Sequence, residues 1–168
     1  RPIPEDFTVI SQENRIFAVA DGLGGPEVGD KAAKSACESV QRYLLKEAGD
    51  LDATMPFVLR KYFSLAGNVL FNSVLHANRV VHQLNKDKNV NEKGGASMIA
   101  GYMDRGTLAL AHVGDCSAML YRGGCLTELV TPRTYGRMVN PVRSGQKMDD
   151  AKNTPSTPMV DAPLTALG

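Results

Sequence analysis

No stretch of apolar residues in this chain approaches the ~20 that a membrane-spanning helix requires, and no signal-peptide pattern opens it. Cysteine is scarce. Cys37, Cys116 and Cys125 are odd in number and lack CxxC spacing, which argues against a disulfide framework or a structural zinc site and points to a reducing, cytoplasmic setting. An excess of either charge is also missing: 19 Lys and Arg against 18 Asp and Glu leave a formal net charge of +1. Neither nucleic acid nor an anionic membrane is therefore indicated as a bulk partner. No internal repeat is visible. The 168 residues fit a single domain, 1–168, with room for a substantial core. The chain opens at Arg1 without Met, from which sequence ahead of it is expected.

What is present alternates between two periodicities. Residues 7–10 and 15–20 read as two short strands of a hairpin. The second has too little alternation for a half-exposed strand and reads as buried on both faces, ending at Asp21. From Pro26 the spacing turns helical, with Val28, Ala32, Ala33, Ala36, Val40 and Leu44 on one stripe. A second amphipathic run from Met55 to Leu84 predicts a helix of about 30 residues, long for a globular protein. Residues 86–95 read as a polar loop. Strand signals return at 96–103, 107–113, 117–121 and 125–130, separated by Asp104-Arg105-Gly106, Gly114-Asp115 and Gly123-Gly124, which predicts a meander. Five of the nine prolines fall from Pro132 onward, so 131–168 reads as an irregular flap or tail outside the core. Two strands, two helices and a run of strands favour an α+β fold, layered with mostly antiparallel sheets.

Three acidic spots fall at strand edges: Glu5-Asp6, Asp21 and Asp115. Asp21 sits in FAVADGLGG, residues 17–25, where glycines free the backbone to turn or to present a carbonyl. Carboxylates at strand ends beside such a carbonyl suit Mn²⁺ or Mg²⁺, which prefer oxygen ligands and retain water. One carboxylate can bridge two ions, and ions ~3.5–4 Å apart can activate a shared water for in-line attack on phosphorus. Arg1 would offer a bidentate guanidinium to phosphate oxygens. Each residue also has an ordinary account. Asp115 fits a hairpin turn, Glu5-Asp6 a solvated terminus, Arg1 a surface charge and His112 a core histidine. His76 and His82 fit partly exposed helical positions, and Cys116 has no cationic neighbour in sequence to activate it.

Taken together, RPIPED at 1–6, FAVADGLGG at 17–25, GAS at 95–97 and AHVGDC at 111–116 resemble the metal-dependent Ser/Thr protein phosphatase family, type 2C. The family's pattern is R-x-x-x-E-D, FAVxDGxGG, G-[ST]-T-A and a VGDSR turn, and the DGLGG form looks like its bacterial branch. The resemblance implies an α-β-β-α sandwich and removal of phosphate from Ser or Thr of proteins by a water activated between two Mn²⁺ or Mg²⁺ ions. By the same resemblance, Asp21 bridges the metals, the carbonyl of Gly22 and the carboxylate of Glu5 serve one of them, and Asp6 stands behind. Asp115 belongs to a third, weaker metal site, and Arg1 binds the phosphate. The implied partners are a phosphorylated protein and a Ser/Thr kinase or its targets.

The departures from the pattern set further expectations. APLTALG at 162–168 resembles the family's L-T-R-A-L-G segment without its Arg, and the S-D-G and D-N motifs that complete the metal site do not occur before Gly168. Glu5, Asp21 and one carbonyl are few ligands for two hard cations. The chain is therefore expected to lack the family's C-terminal strands, to bind metal poorly and to expose sheet edges. Asp149, Asp150 and Asp161 lie in the irregular tail. Ser117 replaces the Arg of the VGDSR turn, and Leu23 a residue that is polar in many eukaryotic members though Met- or Leu-like in the bacterial branch. The alternative function is a catalytically inactive phosphatase-like module that binds a phosphoprotein or a kinase.

Overall fold

A computed structural model describes residues 4–48, 60–132 and 166–168. Strands β1 (Asp6–Ser11) and β2 (Ile16–Leu23) are followed by helices α1 (Gly29–Ala48) and α2 (Leu65–Leu84). A short 3-10 turn at Val90–Glu92 precedes β3 (Gly95–Asp104), β4 (Thr107–Val113), β5 (Ala118–Arg122) and β6 (Cys125–Val130). The first four strands form one antiparallel sheet in the order β1-β2-β3-β4, and β5 pairs with β6 in a second.

The register explains how the helices pack. Ala18 lies opposite Ala100, Ala20 opposite Met98 and Gly22 opposite Ala96, so small side chains, with the larger Met98 among them, line one face of the central strands. α1 packs against that face with Ala32, Ala33, Ala36, Val40 and Leu44, all at most 3% exposed, and α2 packs beside it. Alanines on both surfaces let helix and sheet approach closely, and burying them excludes water from a continuous apolar layer. Cys37 belongs to this layer, its thiol reaching the Phe7 carbonyl at 3.5 Å.

Four expectations need correction. β2 is buried on one face only: Ile16, Ala18, Ala20 and Gly22 point inward, while Val19 and Asp21 are exposed. Its apolar run arose because the outward face also carries Phe17 and Val19, so hydropathy did not alternate although burial does. The strand also continues past Asp21 to Leu23. α2 is 20 residues long and begins after Ser64, whose hydroxyl accepts the Gly67 N–H at 3.0 Å. Asn68 reinforces the start: its amide oxygen accepts the Arg60 N–H at 2.7 Å, and its nitrogen donates to the Arg60 carbonyl at 3.1 Å. Tyr62 and Phe63 continue the apolar sequence but lie exposed in the turn. Residues 55–59 of the expected helix fall outside the described residues.

The third correction concerns the meander. Arg105-Gly106 and Gly123-Gly124 do make hairpin turns, with φ of 46° and 80° and of 58° and 79°, both left-handed as a two-residue hairpin requires. Gly114-Asp115 does not. The chain leaves the first sheet there, and β5 pairs only with β6 among the described residues. The fourth concerns the end of the tail: Leu167 is 2% exposed and bridges to Ala96 through two backbone hydrogen bonds of 2.9 and 3.2 Å. No helix among the described residues is long and apolar enough to cross a membrane.

Candidate metal centre

One end of the four-stranded sheet gathers the acidic residues. β1 and β2 place Asp6 directly opposite Asp21, and β2 and β3 place Asp21 opposite Ser97. Directly opposite residues project to the same side of a sheet, so Asp6, Asp21 and Ser97 form a row across three strands. Glu5 stands immediately before β1, its carbonyl accepting the Gly22 N–H at 3.1 Å. Asp115 follows β4 and is tied to the row by its own N–H, which donates to the hydroxyl of Ser97 at 3.2 Å. Ser97 is 1% exposed, so this hydrogen bond ties the Gly114-Asp115 turn to a buried side chain of β3.

The electrostatics are one-sided. The Asp21 carboxyl is pushed above its ordinary value first by partial burial, then by the charge of Asp6 and a hydrogen bond with it, then by Glu5 and Asp115. Among the described residues every charge acting on it is acidic, and no basic side chain offsets them. Like charges directly opposite in a sheet are unfavourable unless a proton or a cation is shared between them. Cys116 feels the same field: burial, then Asp115 and Asp21, push its thiol up to about 11. It is a thiol at neutral pH, in keeping with the absence of a cationic neighbour noted in its sequence.

Glycine at 22 is a matter of space. A Cβ there would collide with the carbonyl of Gly29 and lie 2.8 Å from the carbonyl oxygen of Glu5. Gly25 answers to conformation instead, with φ of 89°, and Gly24 to both, with φ of 114° and a would-be Cβ 2.7 Å from the Lys93 carbonyl oxygen. The donor chemistry is that of a hard divalent cation: oxygens only, mutually repelling, one end of a sheet open to solvent. The set is also open. Among the described residues no three His, Cys, Asp or Glu side chains close on one point as a ligand group would. Arg1, Asp149, Asp150 and Asp161 lie outside the described residues. His112 is not a satisfied core histidine, since its Nε2 is buried without a hydrogen-bond partner among the described residues. The role of Ser97 went unread in the sequence. Its motif was visible, but its partner is 18 residues away and is set by the turn into the second sheet.

A family model described as Protein phosphatase 2C matches residues 5–154. The chain belongs to the protein phosphatase 2C family. It is 30% identical over 122 residues to a probable protein phosphatase 2C 2 of Arabidopsis thaliana, covering 73% of this chain and 27% of that protein. Among solved structures it is similar to the Mycobacterium tuberculosis serine/threonine phosphatase PstP/Ppp, with a TM-score of 0.66, 23% identity and coverage of 99% of this chain and 63% of that one. The PPM Ser-Thr phosphatase MsPP of Mycobacterium smegmatis, crystallised with cacodylate, gives 0.70 at 19% identity over 100% of this chain and 62% of its own. The PstP catalytic domain in complex with 2 manganese ions gives 0.65 at 22% identity over 99% and 61%. At these identities the structural likeness establishes the fold. This type 2C chain spans 27% of its curated relative and 61–63% of these solved chains.

Proposed function

We infer that this chain acts in hydrolysis of phosphoserine and phosphothreonine in proteins, with Mn²⁺ or Mg²⁺ held at the acidic end of the first sheet. The observation that carries this reading is the row of Asp6 opposite Asp21, with Glu5 and Asp115 also raising Asp21 and no described basic side chain offsetting them. In this reading Asp21 would bridge two cations, Glu5 and the Gly22 carbonyl would serve one of them, and Asp6 would steady Asp21 through their hydrogen bond. Asp115, whose N–H donates to Ser97, would serve a third and weaker position, and Arg1 would hold phosphate. When bound, such cations neutralise phosphoryl oxygens and lower the pKa of water.

The chain's own residues set the conditions for binding. Partial burial, the charge of Asp6 and a hydrogen bond with it push the Asp21 carboxyl toward its protonated form, so a cation and a proton compete for Asp21. A cation is favoured by the like charges it separates. A phosphorylated protein is the substrate class, and a Ser/Thr kinase or its targets are the partner class. Cytoplasmic placement rests on the free thiols of Cys37, Cys116 and Cys125. Replacing Asp21 by Asn is expected to abolish Mn²⁺-dependent hydrolysis of a phosphopeptide while leaving the fold in place. Unchanged hydrolysis in that variant would remove the metal assignment.

A second reading has its own support in the open ligand set. A module of this fold that binds a phosphoprotein without hydrolysing it would retain phosphopeptide affinity in both the wild type and Asp21→Asn. It would show no turnover in either.

A further inference from the structure

Gly29, the first residue of α1, has no conformational need to be glycine, since its φ is not among the left-handed ones. By helix propensity alanine would suit it better. The reason for glycine lies across the contact. A Cβ at position 29 would lie 2.5 Å from Glu5 Oε2, 3.0 Å from the Gly22 carbonyl carbon and 3.1 Å from the Leu23 nitrogen. We propose that Gly29 is a positioning residue for Glu5, its missing side chain being the space in which the Glu5 carboxylate lies. This rests on reading Glu5 as a cation ligand.

Three contacts close into a ring. The Gly22 N–H donates to the Glu5 carbonyl, the Gly22 Cα rests against the Gly29 carbonyl, and Gly29 leaves room for the Glu5 carboxylate. Only one of the three atoms facing position 29 is closer than real Cβ contacts allow, and it is the far end of a flexible side chain. The two backbone neighbours need give way by only a few tenths of an ångström. A methyl group at 29 is thus relieved by moving the carboxylate, and the fold survives while Glu5 leaves its place. The carboxylate also sits at the N-terminal end of α1, where the helix dipole favours negative charge.

The test compares the wild-type chain with Gly29→Ala, Glu5→Ala and the double variant. Mn²⁺ binding is read by calorimetry, and the Glu5 carboxyl carbon by NMR without metal. Gly29→Ala is expected to lower Mn²⁺ affinity roughly tenfold or more, and to add almost nothing once Glu5 is already Ala, because both act through one group. The metal-free carboxyl resonance of Glu5 is expected to move toward that of a solvated glutamate. An equal loss of affinity with and without Glu5, or an unmoved resonance, would overturn the proposal. If the wild type binds no Mn²⁺, the ligand reading of Glu5 falls, and the resonance alone decides the positioning. Should Gly29→Ala fail to fold, Glu5→Asp in the same chain withdraws the carboxylate by one methylene. Refolding then supports the proposal, and continued unfolding makes Gly29 a backbone-packing residue only.

Discussion

Partial burial first, and then its acidic neighbours, hold Asp21 protonated more readily than an ordinary aspartate, so its contribution to stability depends on pH with a definite sign. The folded chain binds that proton more tightly than the unfolded chain does. Without metal, the Asp21 contribution therefore falls as pH rises from the ordinary Asp value of 3.8 through its raised folded value, and it stays unfavourable above. Metal-free Asp21→Asn is accordingly expected to melt at a higher temperature than the wild type at pH 7. The two melting curves should converge as pH drops below 3.8. Scanning calorimetry over that pH range checks both. Ser97 gives a second residue-level expectation. Ser97→Ala removes the acceptor for the Asp115 N–H, at a cost of about 0.5–1.5 kcal/mol in urea denaturation, and Ser97→Thr should restore it.

Among the elements, α1 is the one whose burial was most legible in its spacing, although Val28 of the predicted stripe lies ahead of the helix and is half-buried, and Cys37 and Ser39 are buried beside the stripe. Ala32, Ala33, Ala36, Val40 and Leu44 recur on one stripe and are all buried. Leu44 is fully enclosed, so Leu44→Ala should destabilise the chain by about 2–5 kcal/mol, read from the denaturation midpoint. The joint between α2 and β3 depends on one amide instead. Asn85, at the C-cap of α2, donates to the Gly94 carbonyl at 2.6 Å and accepts the Gly94 N–H at 2.9 Å. Gly94 in turn presses on Val28, and Gly24 on Lys93, so the loop that follows Asp21 is braced by this joint. Asn85→Ala leaves both Gly94 groups buried and unpaired and is expected to cost about 1–3 kcal/mol. Hydrogen exchange should show the loss at 22–29 as well as at α2.

Over the molecule as a whole, the sequence was most informative where structure is local. β4 and β6 run over the residues their alternation and flanking turns predicted, and the β1–β2 hairpin formed. The departures are non-local. Whether Gly114-Asp115 is a hairpin depends on which sheet the next strand joins, and neither residue encodes that. The start of α2 was hidden because Tyr62 and Phe63 prolong the apolar pattern, while the decision belongs to the side chains of Ser64 and Asn68. The acidic residues of the site were legible as motif members. Their opposition across β1 and β2 was not, because register is a property of paired strands. Nor was the space at Gly29, which exists only once α1 meets Glu5.

The proposed function makes a cation the partner of the acidic sheet end, and calorimetric titration with Mn²⁺ at pH 7 tests it directly. Binding by the wild-type chain that weakens roughly tenfold or more in Asp21→Asn, with both proteins folded, is the expected result. Equal affinity in the two would contradict a metal site at Asp21, whereas no binding by the wild type would mark the ligand set of this chain as incomplete.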